Sequence, residues 1–204
     1  MDISMSRTST TVERRSEIIS AAIRVIARDG LAETTTRKIA AEASVNQAAL
    51  RYYFGSKDDL LFAVLQEMIQ RTKEVALASM GENLDLRDLV AESLRGFWAY
   101  VELAPELQVM QYELILYALR HPASAWLAKE KYDGYCSVVE SLFLRGFEAV
   151  GKTCPPSLAE LARFVVGGLD GLILQFISDR DSVRAQRDLN YFIAQVVARV
   201  DATS

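Results

Sequence analysis

The sequence predicts an all-α chain of about nine helices. Three observations carry that reading. Apolar residues recur at spacings of three and four through most of the chain, which lines them up on one face of a helix. No segment alternates apolar and polar residues as a half-buried strand does. The four prolines, Pro105, Pro122, Pro155 and Pro156, stand at helix starts or in a connection, where a missing N–H costs nothing.

Taken in order, residues 1–10 are polar and rich in Ser and Thr, the composition of a flexible arm. Helix 1 is expected from about Thr11 to Asp29, with Ile18, Ile19, Ala22, Val25 and Ile26 inward and Gly30 as its stop. Thr35 is an N-cap for helix 2, whose Ile39, Ala40 and Ala43 share an inner face. Ala43-Ser44-Val45 breaks that helix, and Val45 plugs the corner. Asn46 is a second N-cap and opens a helix reaching about Phe54. Gly55-Ser56 stops it, and Ser56 with Asp59 forms a capping-box-like start in which the acid reaches back to the cap amide. Helix 4 is expected over Lys57–Met80, closed by Gly81, and helix 5 over Leu86–Leu103. Pro105 opens helix 6 to about Arg120, and Pro122 opens helix 7 to about Val150. After the connection GKTCPP come helix 8, Ser157–Ser178, and helix 9, Ser182–Val200.

The stretch from Thr35 to Leu60 has functional grammar. Leu50 and Phe54 lie four apart on the inner face of the third helix, while Gln47, Ala48, Arg51 and Tyr52 lie on the other. Amide and guanidinium groups on a helix surface suit a major groove, where they read base edges. Taken singly, Asn46 reads more readily as a cap, and Lys57 as a solvated charge. Cap, short helix, turn, polar-faced helix and capped exit, in that order, define a helix-turn-helix. The expected organisation is an arm over 1–10, a helix-turn-helix DNA-binding domain over 11–56, and a helical domain over 57–204.

Gly30 through Leu60, with Thr35, Arg37, Ile39-Ala40, Ala43, Val45, Phe54 and Ser56-Lys57, resembles the DNA-binding domain of the tetracycline-repressor (TetR) family of bacterial regulators. The resemblance implies that Thr35, Arg37 and Lys57 touch phosphates and that the helix at Asn46–Tyr53 enters the major groove. It also implies that residues 57–204 bind a small effector and dimerise. Two positions depart from the family pattern. The usual glycine before the valine is Ser44, acceptable where Ser44 stays out of the left-handed conformation that Ser disfavours. The usual tyrosine after the leucine is Arg51, so its phosphate contact falls to Tyr52 or Tyr53, and Arg51 becomes a candidate base reader.

Composition excludes several chemistries. Net charge is −4, yet residues 1–60 carry nine Lys/Arg against eight Asp/Glu, so the balance turns basic only at the reading end. The cysteines, Cys136 and Cys154, and the single His121 form no metal-ligand or catalytic spacing, and no cofactor or metal is implied. Inert thiols are the expectation for the two cysteines. The N-terminus lacks a signal-peptide core, and no uninterrupted apolar run reaches membrane-spanning length. A cytoplasmic location is expected.

The C-terminal helices carry two further expectations. Helix 8 is apolar all round from Phe164 to Leu174 yet contains Gly167, Gly168 and Gly171, each costing about 1 kcal/mol of helix propensity. Close approach of another helix would compensate. With Leu174, and with Phe192 and Val196 of helix 9, these glycines are expected in a four-helix homodimer interface, against the plainer alternative of a buried centre in a monomeric bundle. Helices 5–7 concentrate Phe97, Trp98, Met110, Tyr112, Tyr117, Trp126, Tyr132 and Tyr135. Such rings are usually core, but Gln111, Glu113 and Asp170 interrupt the apolar runs, where an unpaired polar group is costly. Together they are expected to line an effector pocket. Its carboxylates favour a cationic or hydrogen-bond-donating ligand, unless Glu113 pairs with a neighbour such as Arg120.

The leading expectation is therefore a dimeric one-component regulator that binds a palindromic operator in double-stranded DNA and answers to a small molecule. The rival is a helical ligand-binding or adapter protein that has lost DNA binding, and such a protein has no reason to keep Gln47, Arg51 and Tyr52 outward. An enzyme ranks third, because no catalytic constellation can be assembled.

Overall fold

The computed structural model describes residues 3–79 and 85–203; the side chains of residues 3–10, 202 and 203 are outside the description. Among the described residues there is no strand. The described residues form nine α-helices: α1 Ile3–Asp29, α2 Thr36–Glu42, α3 Gln47–Tyr53, α4 Lys57–Ala78, α5 Leu86–Leu103, α6 Pro105–Arg120, α7 Trp126–Ala149, α8 Leu158–Asp179 and α9 Ser182–Thr203. Two boundaries differ from expectation. The backbone is helical from Ile3, so the arm expected over 1–10 is part of α1 from that residue onward. Pro122 opens a single 3-10 turn, Pro122–Ser124, and α7 starts only at Trp126. The expected helix end at Met80 and its stop at Gly81 lie outside the described residues.

The chain divides into two compact units. The first comprises Met1–Met68 together with Val109–Ala128, so it takes in the start of α4 and most of α6 in addition to the expected 11–56. Its core is made by Ile18, Ile19, Val25 and Ile26 of α1, Ile39 of α2, Leu50 and Phe54 around α3, and Leu60, Leu61 and Val64 of α4, with Met110 and Ala118 of α6 also buried. The second unit comprises Ile69–Gln108 and Lys129–Ser204. Here α9 packs on both α5 and α8, and Trp98, Phe147, Val165, Phe176, Leu189 and Val196 are buried. The α8–α9 contact explains one glycine: a Cβ on Gly168 would stand 2.2 Å from Phe192 Cε2 of the same chain.

Helix α2 ends by a specific hydrogen-bond pattern. The Val45 N–H reaches the Ala40 carbonyl at 2.9 Å and the Ser44 N–H reaches the Ala41 carbonyl at 3.1 Å. That pair is a Schellman motif, which requires a left-handed residue at the first position past the cap. The residue is Ser44, with φ +53°. The condition under which serine is acceptable here, staying out of the left-handed region, is therefore not met, because closing two orphan carbonyls demands that conformation. The Cβ penalty there is about 1–2 kcal/mol. Replacing Ser44 by Gly is expected to raise stability by about 1 kcal/mol, a Tm gain of about 2–4 °C for a chain of this size. Thermal unfolding followed by circular dichroism checks it, and an unchanged or lower Tm counts against the strain.

Candidate DNA-reading and effector-recognition sites

The DNA-reading surface is built from its caps outward. The Lys38 N–H donates to Thr35 Oγ1 at 3.2 Å, and the Ala49 N–H donates to Asn46 Oδ1 at 2.7 Å. Thr35 and Asn46 are therefore both used as N-caps. With Leu50 and Phe54 buried, Gln47, Ala48, Arg51 and Tyr52 are exposed, and Tyr52 is 81 % exposed. Tyr53 is half-buried and meets Tyr52 edge-on, ring centroids 5.3 Å apart. Arg37 and Arg51 are exposed and have no ion-pair partner among the described residues. Lys38 is engaged, at 3.0 Å from Asp29.

The exit from α3 differs in detail from the expected capping box. Ser56 Oγ accepts from the Asp59 N–H at 3.0 Å and donates to Asp59 Oδ2 at 2.7 Å, so the acid holds the hydroxyl rather than the cap amide. Lys57 is exposed, with its ammonium 5.0 Å from the Tyr117 ring centroid. Around α1 and α2, Glu42 receives Arg24 and Arg28 while Asp29 receives Arg28 and Lys38. The hydrogen bond from Arg28, then that from Lys38, holds the Asp29 carboxyl below its ordinary range, and that from Arg24, then that from Arg28, does the same for Glu42. These pairs are exposed, so salt weakens them.

Residues 109–128 tie into this unit through two carboxylates. Glu113 Oε2 accepts the Leu31 N–H at 2.8 Å, just past Gly30. Gly30 has φ +80°, a conformation that favours glycine, and a Cβ there would approach Glu113 Oε1 to 3.2 Å. Asp58, in the first turn of α4, accepts from Tyr117 Oη at 3.0 Å and from Ser124 Oγ at 2.5 Å. Trp126 lies 5.1 Å, centroid to centroid, from Phe62. Glu113, Tyr117 and Trp126 were expected in the effector pocket. The structure gives each a partner on α4 or beside α1 instead, because a helix presents these positions to whichever neighbour the fold supplies. Asp58, Ser124 and Leu31 were missed; the Asp58 role has no local signal, since its partners are more than fifty residues away in the chain.

In the second unit, Tyr132 and Tyr135 of α7 pack with Cys136 against Ala162 and Val166 of α8. Asp170 lies near Tyr132 and near Lys131, whose ammonium is 3.6 Å from Asp170 Oδ1. Phe97 is half-buried and Trp98 fully buried; among the described residues Trp98 Nε1, Thr72 Oγ1 and Tyr100 Oη have no hydrogen-bond partner. Met110 and Gln111 are buried and Tyr112 half-buried, but these belong to the first unit. Lys131 was missed, although it shares a helical face with Leu127, Ala128 and Val138. Burial pushes both cysteine thiols up, away from the reactive thiolate.

The expected dimer residues separate into two groups. Gly167 and Gly171 are exposed with open space at their Cβ positions, and Leu174 is 52 % exposed. Val196 is fully buried and Phe192 covers Gly168, so these three serve packing within the chain. Helix α8 is long and apolar enough to cross a membrane by length and composition. Its Leu161, Val165, Leu169 and Phe176 instead enter the core of the second unit.

An all-helical chain with an exposed, capped reading helix and a separate helical unit is a DNA-binding regulator in architecture. Residues 18–64 match the model for bacterial regulatory proteins of the tetR family, and residues 85–200 match the tetracyclin repressor-like C-terminal domain. The chain is 30 % identical over 176 residues to the nicotine-responsive transcriptional repressor HdnoR of Paenarthrobacter nicotinovorans, covering 86 % of this chain and 89 % of that one. It is 25 % identical to the regulator BetI of Brucella anthropi, covering 73 % and 88 %. Among solved structures, the multidrug-binding protein EbrR in complex with imidazole matches with TM-score 0.64 and 29 % identity, covering 90 % and 89 %. The chain belongs to the TetR family. It is a ligand-responsive DNA-binding transcriptional regulator, and its family consists of regulators rather than enzymes.

The Glu113 contact yields a direct test. Glu113→Ala leaves the Leu31 N–H without its acceptor, a loss of about 1–3 kcal/mol, whereas Glu113→Gln keeps an acceptor and costs less. Chemical denaturation of the two variants orders them, and equal stabilities would exclude the contact.

Proposed function

We propose that the chain represses transcription as a homodimer on a palindromic operator and that a small organic effector, bound in the second unit, changes that affinity. The observation that carries the reading is the exposed row Gln47, Arg51 and Tyr52 on a helix anchored by Leu50 and Phe54. Gln47 and Arg51 read base edges; Thr35, Arg37, Lys57 and one of Tyr52 and Tyr53 take phosphates. Asn46 and Ala48 lie against the groove floor, Asn46 with its Oδ1 committed to the cap. A protein that had abandoned DNA would have no use for this surface. A cytoplasmic location follows from such a role.

A second copy supplies the half-site partner, since two reading helices one turn of DNA apart match a palindrome. The outward stripe Gly167, Gly171 and Leu174 of α8, with the exposed Tyr191 of α9, is the surface offered for it. Small residues there let two helices approach closely. The effector is a nitrogen-containing small molecule, in keeping with the nicotine-responsive relative and with the neighbour bound to imidazole. Trp98 Nε1, Thr72 Oγ1 and Tyr100 Oη supply polar groups in need of a partner. Helix α4 contributes residues to both units and is the transmitter. Regulation then requires the effector to bind two settings of the reading helices unequally.

Binding-site selection from random duplex DNA, followed by salt titration, tests the reading. Affinity should fall steeply with salt, and absence of sequence-selective binding at low salt overturns it. Arg51→Ala should relax base preference at one position at a cost of about 1–3 kcal/mol, while Lys57→Ala should weaken all sites alike and reduce the salt slope by about 1. Uniform weakening by both moves Arg51 to a phosphate. Leu174→Asp should give a monomer in light scattering with operator affinity reduced at least about a hundredfold, because one half-site contact is lost; a dimer of wild-type affinity rejects the α8 surface.

A further inference from the structure

Two acids, Asp58 and Asp59, follow Lys57 directly in the first turn of α4. Carboxylates suit a helix N-terminus, but beside a lysine that meets phosphate they are a liability. Either can pair with the ammonium, and either repels the phosphate. Neither pairs with it here. Ser56 Oγ donates to Asp59 Oδ2 at 2.7 Å. Tyr117 Oη donates to Asp58 Oδ1 at 3.0 Å, and Ser124 Oγ donates to Asp58 Oδ2 at 2.5 Å. Both oxygens of Asp58 are thus engaged by neutral hydroxyls, and among the described residues Lys57 makes no ion pair.

One side chain acts on both neighbours. The Lys57 ammonium is 5.0 Å from the Tyr117 ring centroid, while the hydroxyl of the same ring holds Asp58. His121, one turn further on, steadies that ring: the two centroids are 4.3 Å apart, and His121 Nδ1 lies 2.7 Å from the Tyr117 carbonyl oxygen. Burial pushes the Tyr117 hydroxyl up, with Ser124 opposing and Asp58 reinforcing, so it keeps its proton and remains a donor. Lys57 itself is exposed. An ammonium resting on a ring is attracted without being neutralised, so a phosphate can still take it. A plain brace between α6 and α4 would need no charge, since a neutral amide oxygen accepts hydroxyls as well.

We propose that Tyr117 and Ser124 are positioning residues for operator binding: their hydroxyls hold the Asp58 carboxylate off Lys57, and the Tyr117 ring keeps the ammonium available to the DNA backbone. The inference rests on the reading of Lys57 as a phosphate contact and deepens it, since neither Tyr117 nor Ser124 has to touch DNA. Removing either hydroxyl leaves one Asp58 oxygen without its donor. That carboxylate then turns to the ammonium one residue away, and the phosphate loses its partner.

Fluorescence anisotropy of the full-length protein on the tightest duplex recovered by selection tests this. Tyr117→Phe keeps the ring and loses the donor, and should weaken binding about fivefold, the scale of one exposed charge pair. In a Lys57→Ala background the same substitution should change affinity less than about twofold, because no ammonium is left to capture. Adding Asp58→Asn to Tyr117→Phe should restore affinity to within about twofold of wild type. Equal losses with and without Lys57, or no recovery with Asp58→Asn, overturn the proposal, since a purely structural role predicts both. Circular dichroism verifies folding. Should Tyr117→Phe unfold, Ser124→Ala removes the other donor and carries the same cycle with the same expected outcomes. Unchanged affinity in Lys57→Ala alone overturns both the proposal and the phosphate role of Lys57. Weakening by Lys57→Ala with additive losses overturns the proposal only and leaves that role standing.

Discussion

The turn at Ser44 is the constraint on which the DNA-reading surface depends. Two hydrogen bonds close the end of α2 over Ser44, and their geometry sets the angle at which α3 departs. At that angle Leu50 and Phe54 enter the core while Gln47, Arg51 and Tyr52 stay in solvent. Had Ser44 stayed in the ordinary helical region, the chain would continue along α2, and the reading helix would have no separate face. The strain at one residue is small beside the burial of the two anchors, since each large apolar side chain contributes about 1.5–3 kcal/mol.

Carboxylates organise the first unit around that surface. Glu113 and Asp58 each accept neutral donors that are far away in sequence, and Glu42 and Asp29 gather the cations of α1 and α2. The division has a functional side. Arginines and lysines tied to Glu42 and Asp29 contribute less to a phosphate field, which supports the assignment proposed for Arg37, Arg51 and Lys57, none of which is paired with those two carboxylates. In the second unit a single carboxylate, Asp170, is shared between an ammonium and a phenol.

Much of the fold was legible because it is local. Apolar spacing and caps located the helices, and Thr35, Asn46 and Ser56 all serve as the caps their chemistry suggested. What failed to show is equally specific. Pro122 suits the first residue of a long helix, but it makes a 3-10 turn that delivers Ser124 to Asp58. Aromatic and carboxylate residues of α6 looked like pocket material, yet Glu113 and Tyr117 face α1 and α4. Nothing in the sequence marks Lys131 as buried, since a lysine in a helix is normally a solvated charge.

The sequence alone determined the helix-turn-helix, its outward polar row and its family, since caps, turns and helical faces are settled by residues within a few positions of one another. Tertiary structure decided the rest. It put Ser44 in the left-handed region, turned Val196 and Phe192 inward while leaving Gly167, Gly171 and Leu174 open, and buried Lys131 against Asp170. The physical reason is that desolvation and the choice of partner depend on what packs against a side chain, and no local spacing encodes the neighbour across the bundle.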